Sequence, residues 1–236
     1  MNTLILENED FLNGNTVKLY GRRAKHILEI KKLTIGSTIN AGLINGNLGT
    51  ATVKSIGSML VILEVSLKEK PPAPLSLSLV IALPRPKVLK KILQTAASLG
   101  IKKIYLINSW KVEKSYWQTH QLSEKNIREQ LLLGLEQSCE TVIPEVIIKK
   151  RFKPFIEDEI ESIIKDSFAL IAHPSETIFD SERIKKNIVL AIGPEGGFTE
   201  YEFNKFIEAG FKQISLGKRI QKVETVMPLL VGKLRY

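Results

Sequence analysis

The sequence predicts an α/β protein with a parallel sheet in its C-terminal part and a small β-rich domain before it. From residue 75 onward, apolar runs of strand length alternate with helical segments. This order is typical of βαβ units and of a parallel sheet covered on both faces. Before residue 70, short apolar runs are separated by Asn45-Gly46 and Gly57-Ser58, and such turn signals favour a small antiparallel barrel.

The boundary between the two parts lies near residue 70. Residues 68–74 contain three prolines and no long apolar side chain, a composition typical of a linker. We therefore expect one domain over residues 1–70 and a second over residues 71–236.

The elements can be predicted in order along each domain. In the first domain, strands are predicted at 37–43, 49–56 and 59–65. In the second domain, strands are predicted at 75–83, 103–108, 145–148, 168–172, 188–192 and 212–216, and helices at 87–99, 124–139, 155–165, 199–209 and 224–233. Open α/β sheets bind ligands at the carboxyl ends of their strands, so a site is expected in the loops that follow these strands.

The charge balance favours a polyanionic partner. The chain has 34 basic and 25 acidic residues, a formal net charge of +9, and such a surface binds polyanions through counterion release. Residues 71–112 contain seven lysines and arginines and no acidic residue. This stretch is compatible both with a phosphate-binding surface and with a solvated helix face plus loop lysines.

The sequence lacks the signals that are typical of several classes of protein. One cysteine and three histidines allow no internal disulfide and no structural zinc set with the usual ligand spacing. Residues 1–10 are not typical of a signal peptide, and no apolar run approaches the roughly 18 residues that cross a bilayer. We therefore expect a cytoplasmic protein that binds neither membrane nor metal. Neither a P-loop nor a dinucleotide-binding glycine motif occurs.

A glycine-rich loop follows the predicted strand at 188–192. Residues 193–198 read Gly-Pro-Glu-Gly-Gly-Phe, and Thr199 with Glu202 forms the pattern of a capping box that begins a helix. Three glycines allow the backbone to approach a flat or anionic ligand closely, and the helix N-terminus adds N–H donors. The alternative is simply a tight strand-to-helix turn.

A second motif lies at residues 216–225, which read Leu-Gly-Lys-Arg-Ile-Gln-Lys-Val-Glu-Thr. The pattern indicates a strand end, a glycine, a basic cluster and then the last helix. Pro228 soon follows, and we expect it in the first turn of that helix, where proline is tolerated.

The two motifs together resemble those of the SPOUT class of S-adenosylmethionine-dependent RNA methyltransferases. Within that class, the chain is most similar to the RsmE family of 16S rRNA uridine-N3 methyltransferases. The likeness extends to residues 83–86, 112–117, 135–137 and 172–174. The chain departs from the family pattern at Gln221 and Lys222, where Leu and Arg are usual, and at Val226, where Ala is usual.

The resemblance implies an N-terminal PUA-like β-barrel that binds RNA and a C-terminal SPOUT domain with a deep trefoil knot. It implies a homodimer paired through the final helix, with S-adenosylmethionine as the methyl donor and the 16S rRNA of the small ribosomal subunit as acceptor. Two alternatives remain: the same fold acting on another RNA or at a ribose 2′-hydroxyl, and a ribosome-assembly RNA-binding protein without catalysis.

The resemblance also implies which residues bind the donor, largely through backbone groups. They are Ala172, His173, Pro174, Gly193, Pro194, Glu195, Gly196, Gly197, Leu216, Gly217, Arg219, Ile220 and Thr225.

Four charged residues are candidates for the chemistry of uracil methylation. Arg219 and Lys222 are the candidates that would favour the deprotonated base, with binding of RNA phosphates as the alternative role. Glu195 and Glu224 are the local carboxylates for a general base, although each could instead order its loop or helix N-terminus.

Two further groups of residues are candidates for RNA binding. Arg22, Arg23, Lys25 and His26 give the first domain a basic edge, for which a solvated loop is the alternative. In the second domain the candidates are Arg85, Lys114, Tyr116 and Trp117. The two aromatic rings could stack on unpaired bases, or could cover core or a subunit contact.

Overall fold

A computed structural model of the protein describes residues 1–175 and 186–235. The chain divides into two compact units: Met1–Ala73 with Leu132–Ile143, and Pro74–Leu131 with Pro144–Tyr236. Each unit contains one six-stranded sheet within the described ranges.

The first unit is built on a mixed sheet with strand order β1-β4-β5-β6-β3-β2. Its strands are β1 Leu4–Leu6, β2 Phe11–Asn13, β3 Thr16–Tyr20, β4 Thr38–Leu43, β5 Leu48–Ile56 and β6 Leu60–Glu69. The three predicted strands are present as β4, β5 and β6. The expectation of a purely antiparallel arrangement is wrong for β1, which pairs with β4 in parallel. The sequence did not predict β1, because its three residues are all apolar and buried and show no alternation of polar and apolar side chains.

A helix that the sequence reading did not identify follows β3. Helix α1, Gly21–Lys25, continues as a π-helical turn, His26–Ile30. Ala24 and Ile27 are fully buried in the core of the first unit. The basic edge at residues 22–26 is therefore helical. The sequence did not predict this helix, because only two apolar positions at helical spacing mark its buried face.

Residues 132–143 belong to the first unit, whereas the sequence reading placed them in the second domain. The backbone N–H groups of Asn2 and Thr3 donate to the Glu136 carbonyl oxygen at 2.7 and 3.0 Å. The Arg22 guanidinium donates to both carboxylate oxygens of Glu136 at 2.9 and 2.6 Å, and Glu136 is only 2% exposed. Thr141 Oγ1 donates to the Gly46 carbonyl oxygen at 2.6 Å. These long-range bonds hold the segment in the first unit.

The second unit contains the predicted parallel sheet, with strand order β12-β10-β11-β7-β8-β9. Its strands are β7 Leu77–Ala82, β8 Lys103–Ile107, β9 Glu145–Lys149, β10 Ser167–Ala172, β11 Asn187–Ile192 and β12 Lys212–Ile214. All five pairings in this sheet are parallel. Five consecutive residues of β11 are buried, as expected for a strand covered on both faces.

The helices also follow the predicted order. They are α2 Pro86–Ser98, α3 Glu124–Ser138, α4 Phe152–Pro154, α5 Ile160–Ile164, α6 Glu200–Glu208 and α7 Val223–Arg235. A π-helical turn, Phe155–Glu159, joins α4 to α5. Two short 3₁₀ segments, Lys114–Gln118 and His120–Leu122, precede α3. In the described ranges, no helix is long and apolar enough to cross a membrane.

The strand order places a crevice beside β7. The chain leaves β7 towards β8 and β9 on one side and later fills the other side with β10, β11 and β12. In open sheets the ligand crevice lies where the strand order reverses, outside the carboxyl ends of the strands. Here that point lies between β7 and β11, so the loops after these two strands border it.

Pro228 lies inside α7 as its sixth residue, and the expectation that it lies in the first turn is wrong. Proline has no N–H, so the Glu224 carbonyl oxygen lacks its usual donor four residues later. The preceding turn is closed by the Lys222 carbonyl oxygen, which accepts from the N–H groups of Thr225 and Val226, both at 2.9 Å.

An aromatic cluster forms part of the core of the second unit. Phe206 of α6 is fully buried, and its ring lies 4.9–5.8 Å from those of Phe152, Phe198 and Phe211. The cluster packs α6 against Phe198, the last residue of the glycine-rich loop.

We predict that Phe206→Ala lowers the free energy of unfolding by about 3–5 kcal/mol, because it removes buried area and leaves a cavity. Tyr201→Ala on the same helix is the matched control. Tyr201 is exposed, so its loss should cost less than about 1 kcal/mol. Urea denaturation of the full chain measures both, and equal losses for the two variants would contradict the packing described.

Candidate functional site

A pocket of about 690 Å³ lies at the carboxyl edge of the parallel sheet. Its walls come from the loops after β7, β8, β10, β11 and β12 and from the start of α7. The volume is in the range of small-molecule sites, about 300–1,000 Å³. Much of the lining is backbone or apolar side chain, including Ile192, Ile214 and Leu216.

The glycine-rich loop is bonded to both neighbouring loops of the sheet edge. Glu195 Oε1 accepts from the backbone N–H of Arg85, after β7, at 2.9 Å. Lys111 Nζ, after β8, donates to the Gly196 carbonyl oxygen at 2.8 Å. A Cβ on Gly193 would lie 3.0 Å from the backbone nitrogen of Phe198, so this position favours glycine for steric reasons.

Glu202 links the helix that follows this loop to the loop after β8. Its carboxylate is 2% exposed. Oε2 accepts from Thr199 N and Thr199 Oγ1, each at 2.9 Å, and from Ser109 Oγ at 3.2 Å. Oε1 accepts from the backbone N–H of Trp110 at 2.7 Å. The predicted capping box is therefore present, and its glutamate also holds a second loop.

The loops after β10 and β12 form the opposite wall. The His173 N–H donates to the Ile214 carbonyl oxygen at 3.0 Å. Ser215 Oγ accepts from the N–H of Ser175 at 3.1 Å and from that of Gly217 at 3.0 Å. Gly217 has φ +96°, a conformation that glycine adopts without steric cost. One buried hydroxyl thus organises both loops.

The ring of His173 packs 4.5 Å from that of Phe203 on α6. Burial, followed by the positive charge of Lys111, lowers the pKa of His173 below its usual value of 6.5. The imidazole is therefore neutral at neutral pH.

The basic cluster lies at the rim of the pocket. Arg219, Gln221 and Lys222 are exposed and line it together with Ile220. Glu224 also lines the pocket and lies 3.8 Å from Lys91 Nζ of α2. All four predicted catalytic residues, Glu195, Arg219, Lys222 and Glu224, therefore lie around one pocket.

Twelve of the thirteen predicted donor-binding residues line the same pocket. They are Ala172, His173, Pro174, Gly193, Pro194, Glu195, Gly196, Gly197, Leu216, Gly217, Arg219 and Ile220. Thr225 lies in the first turn of α7, where its N–H donates to the Lys222 carbonyl oxygen at 2.9 Å. It is not among the described residues that form the pocket wall.

The predicted RNA-binding residues of the second unit lie near the loop after β8. Arg85 lines the pocket, and Lys114 is exposed. The Tyr116 hydroxyl donates to Glu113 Oε1 at 2.8 Å, and Trp117 Nε1 donates to Asn108 Oδ1 at 2.8 Å. Both rings are half-buried, which favours a structural role for them over stacking on a base.

The predicted RNA-binding residues of the first unit differ in their surroundings. The Arg23 guanidinium donates to both oxygens of Asp10 and to the Ile5 carbonyl oxygen. Arg22 pairs with buried Glu136 but remains half exposed. Lys25 is exposed and 3.7 Å from Glu29. Burial lowers the pKa of His26. The bonds of Arg23 favour a structural role for it. Lys25 has the more exposed side chain of the two cations Arg22 and Lys25.

Sequence reasoning did not assign Lys111, Ser215, Glu202 or Trp110 to the site. Lys111 was counted only as one charge of a basic stretch, and Glu202 only as a helix cap. No local pattern indicates that a capping glutamate bonds to a loop some 90 residues earlier. In the part of the chain that the structure describes, no cluster of three or more His, Cys, Asp or Glu side chains is arranged to hold a metal ion.

The chain contains an RNA methyltransferase domain, because residues 71–235 match the family described by those words. The ribosomal RNA small subunit methyltransferase E of Treponema pallidum is 32% identical over 232 residues, which cover 95% of this chain and 87% of that protein. The chain therefore belongs to the ribosomal RNA small subunit methyltransferase E family.

Solved structures share the fold. One is a ribosomal RNA small subunit methyltransferase E from Neisseria gonorrhoeae bound to S-adenosyl methionine, with a TM-score of 0.75, 21% identity and coverage of 98% of this chain and 95% of that chain. Another is a methyltransferase structure from Legionella pneumophila in complex with the bound cofactor SAM. It has a TM-score of 0.78 and 20% identity, and the match covers 98% of this chain and 95% of that chain.

We predict that Glu202→Gln lowers the free energy of unfolding by about 1.5–3 kcal/mol, the range for hydrogen bonds to a charged group. Both carboxylate oxygens accept from backbone N–H groups, so the amide of glutamine would face an N–H donor in either orientation. Glu208→Gln on the same helix is the control, because Glu208 is exposed and pairs with Lys205. Urea denaturation should separate the two variants; equal effects would show that the Glu202 bonds contribute nothing specific.

The lowered pKa of His173 predicts a pH-dependent stability. Between the usual value of 6.5 and the lower value in the folded protein, the unfolded chain binds more protons, so stability falls as pH falls through this window. His173→Gln should reduce that slope between about pH 7.5 and 5.5 in denaturation curves. His26 and the carboxylates are present in both proteins, so their contributions to the pH dependence of stability cancel when the two slopes are compared. Identical slopes would show that folding does not lower the pKa of His173.

Proposed function

We propose that this protein transfers a methyl group from S-adenosylmethionine to N3 of one uridine in the 16S rRNA of the small ribosomal subunit. The observation that carries the proposal is the single pocket formed by the two motif loops, 193–198 and 215–222, together with residues 172–174. The names of the relatives support methylation of small-subunit ribosomal RNA.

The pocket residues fit the methyl donor. Gly193, Gly196 and Gly197 have no side chains, so their backbone N–H and C=O groups can approach a flat adenine ring. Ile192, Ile214, Leu216 and Leu230 offer apolar surface in the same pocket. When bound, S-adenosylmethionine supplies an electrophilic methyl group. The residues of the pocket bind it, orient it and limit the access of water.

The same proposal includes the finer features of the fold. We propose that the sheet of the first unit is a PUA-like barrel that binds RNA. We further propose, from the resemblance to the SPOUT class, that the C-terminal loops are tied in a trefoil knot. The protein would be a homodimer paired through α7, where Leu229 is half exposed.

Methylation of uracil N3 requires loss of the proton from that nitrogen. Arg219 and Lys222 are exposed at the rim, where their charges can reach the two uracil oxygens and favour the deprotonated base. Lys222 presents a point charge where arginine is usual in the family, so it cannot form a planar two-bond contact. Arg219 would then bear the larger part of this role.

The proton needs an acceptor, and Glu195 and Glu224 are the two carboxylates among the described residues that line the pocket. Glu195 uses one oxygen to accept from the Arg85 N–H and is exposed, so its other oxygen can face a substrate. Glu224 lies beside Lys91 and is less exposed. Glu195 is the better placed of the two as the base.

The acceptor base must be unpaired, because N3 lies on its Watson–Crick edge. Arg85 and Lys114 lie on the side of the pocket formed by the loops after β7 and β8 and would contact the RNA backbone, with Tyr116 and Trp117 beside them. The RNA-binding edge of the first unit would consist of Arg22, Lys25 and His26 on α1 and its π-helical turn, together with Arg23, which pairs with Asp10. These contacts position the RNA without reading its sequence.

A reverse-transcription assay tests the proposal. The protein is incubated with S-adenosylmethionine and either small ribosomal subunits or protein-free 16S rRNA, both lacking the modification. We predict a donor-dependent stop at one uridine, because a methyl group on N3 blocks base pairing. Methyl incorporation without a stop would indicate a position outside the Watson–Crick edge, such as a ribose 2′-hydroxyl, and RNA binding without donor binding would indicate an assembly factor.

Gly193→Ala should abolish the stop and weaken donor affinity in calorimetry, because its Cβ would press on the Phe198 backbone. Gly57→Ala is the matched control, since a Cβ there meets nothing closer than 3.5 Å. Unchanged donor affinity in Gly193→Ala would contradict the assignment of the pocket.

A further inference from the structure

Trp110 is the most exposed large apolar side chain among those described, at 86%. Tryptophan is highly buried on average in folded proteins, so an indole almost entirely in solvent is informative. The side chain belongs to the short segment between β8 and the 3₁₀ turn Lys114–Gln118, at the carboxyl edge of the parallel sheet.

The backbone that carries this indole is held firmly. The Trp110 N–H donates to buried Glu202 at 2.7 Å, and Ser109 Oγ donates to the same carboxylate at 3.2 Å. On the other side, Lys111 Nζ is bonded to the Gly196 carbonyl oxygen at 2.8 Å. The ring is thus presented to solvent from a fixed backbone, which reduces the entropy lost when a partner binds.

The segment that carries Trp110 has a net positive charge and borders the pocket. Lys111 next to it lines the pocket, and Lys114 is exposed, as is Glu113 between them. Glu113 accepts a hydrogen bond from the Tyr116 hydroxyl, and from residue 71 to residue 112 the chain has seven basic residues and no acidic residue. An exposed aromatic ring on a positively charged surface is the combination with which proteins bind single-stranded nucleic acid.

We propose that the Trp110 indole stacks on an unpaired RNA base beside the target uridine and so positions the substrate. This inference rests on the proposed function and adds a positioning residue to it. Tyr116 and Trp117 are less suited, because both are half-buried and bonded to Glu113 and Asn108. A second copy of the chain is the other occupant to consider, but a surface of net positive charge matches a polyanion better than it matches itself.

The test compares Trp110→Ala, Trp110→Phe and the control Tyr201→Ala in the full chain. With protein-free 16S rRNA, Trp110→Ala should raise KM about 5- to 150-fold, the range for loss of one stacked base. Trp110→Phe should recover most of that loss, because a ring remains. Donor affinity in calorimetry should stay within about two-fold in all variants, and Tyr201→Ala should resemble the wild type.

A binding assay without turnover separates this inference from the proposed function. A single-stranded uridine 12-mer should quench the tryptophan fluorescence of the wild type, and Trp110→Phe should remove most of the quenching. If the wild type makes no methylated product but this quenching occurs, the methylation proposal fails and the RNA contact stands. An unchanged KM in Trp110→Ala would overturn the inference. So would a change in sedimentation from dimer to monomer, which would place Trp110 at a subunit contact.

Discussion

The pocket depends on one buried carboxylate. Glu202 caps the start of α6, where its Oε2 accepts from the N–H and hydroxyl of Thr199. The same oxygen accepts from the Ser109 hydroxyl, and Oε1 accepts from the Trp110 N–H. Because β7 lies between β11 and β8 in the sheet, this carboxylate links loops on either side of a strand end. A buried charge is tolerated only when its hydrogen bonds are satisfied, and here four donors satisfy it.

Two weaker links complete the same arrangement. Glu195 binds the loop after β7 through the Arg85 N–H, and Lys111 binds the Gly196 carbonyl oxygen. The glycine-rich loop is therefore held to both neighbouring loops although its own residues have little side chain with which to pack. This explains how a loop with three glycines can form a defined wall. Its conformational freedom is restricted by the side chain of its own Glu195, which bonds to the Arg85 N–H, and by Lys111, which reaches it from the loop after β8.

The sequence predicts the parts of this protein in which the pattern is local. The strands of the parallel sheet, the capping box and the pocket residues near 172–174, 193–197 and 216–220 follow from periodicity, from turn chemistry and from resemblance. What the sequence could not predict depends on contacts between distant residues. Glu136 holds the N-terminal backbone, so residues 132–143 join the first unit. The sequence does not distinguish Trp110 from Trp117. In the structure, the Trp117 indole N–H donates to Asn108 and its ring is half-buried, whereas Trp110 is 86% exposed.

The distribution of charge divides the pocket into an inner part and a charged rim. Its inner walls are backbone, apolar side chains and a neutral imidazole at His173, whereas Arg85, Arg219 and Lys222 lie exposed at the rim. Exposed cations interact with phosphates over a distance limited by salt, while groups inside the pocket are screened much less. If the pocket binds the donor and the rim binds RNA, as proposed, donor binding should depend little on ionic strength and RNA binding strongly. Under the same proposal, a substitution at exposed Lys222 would alter RNA binding while leaving donor binding unchanged.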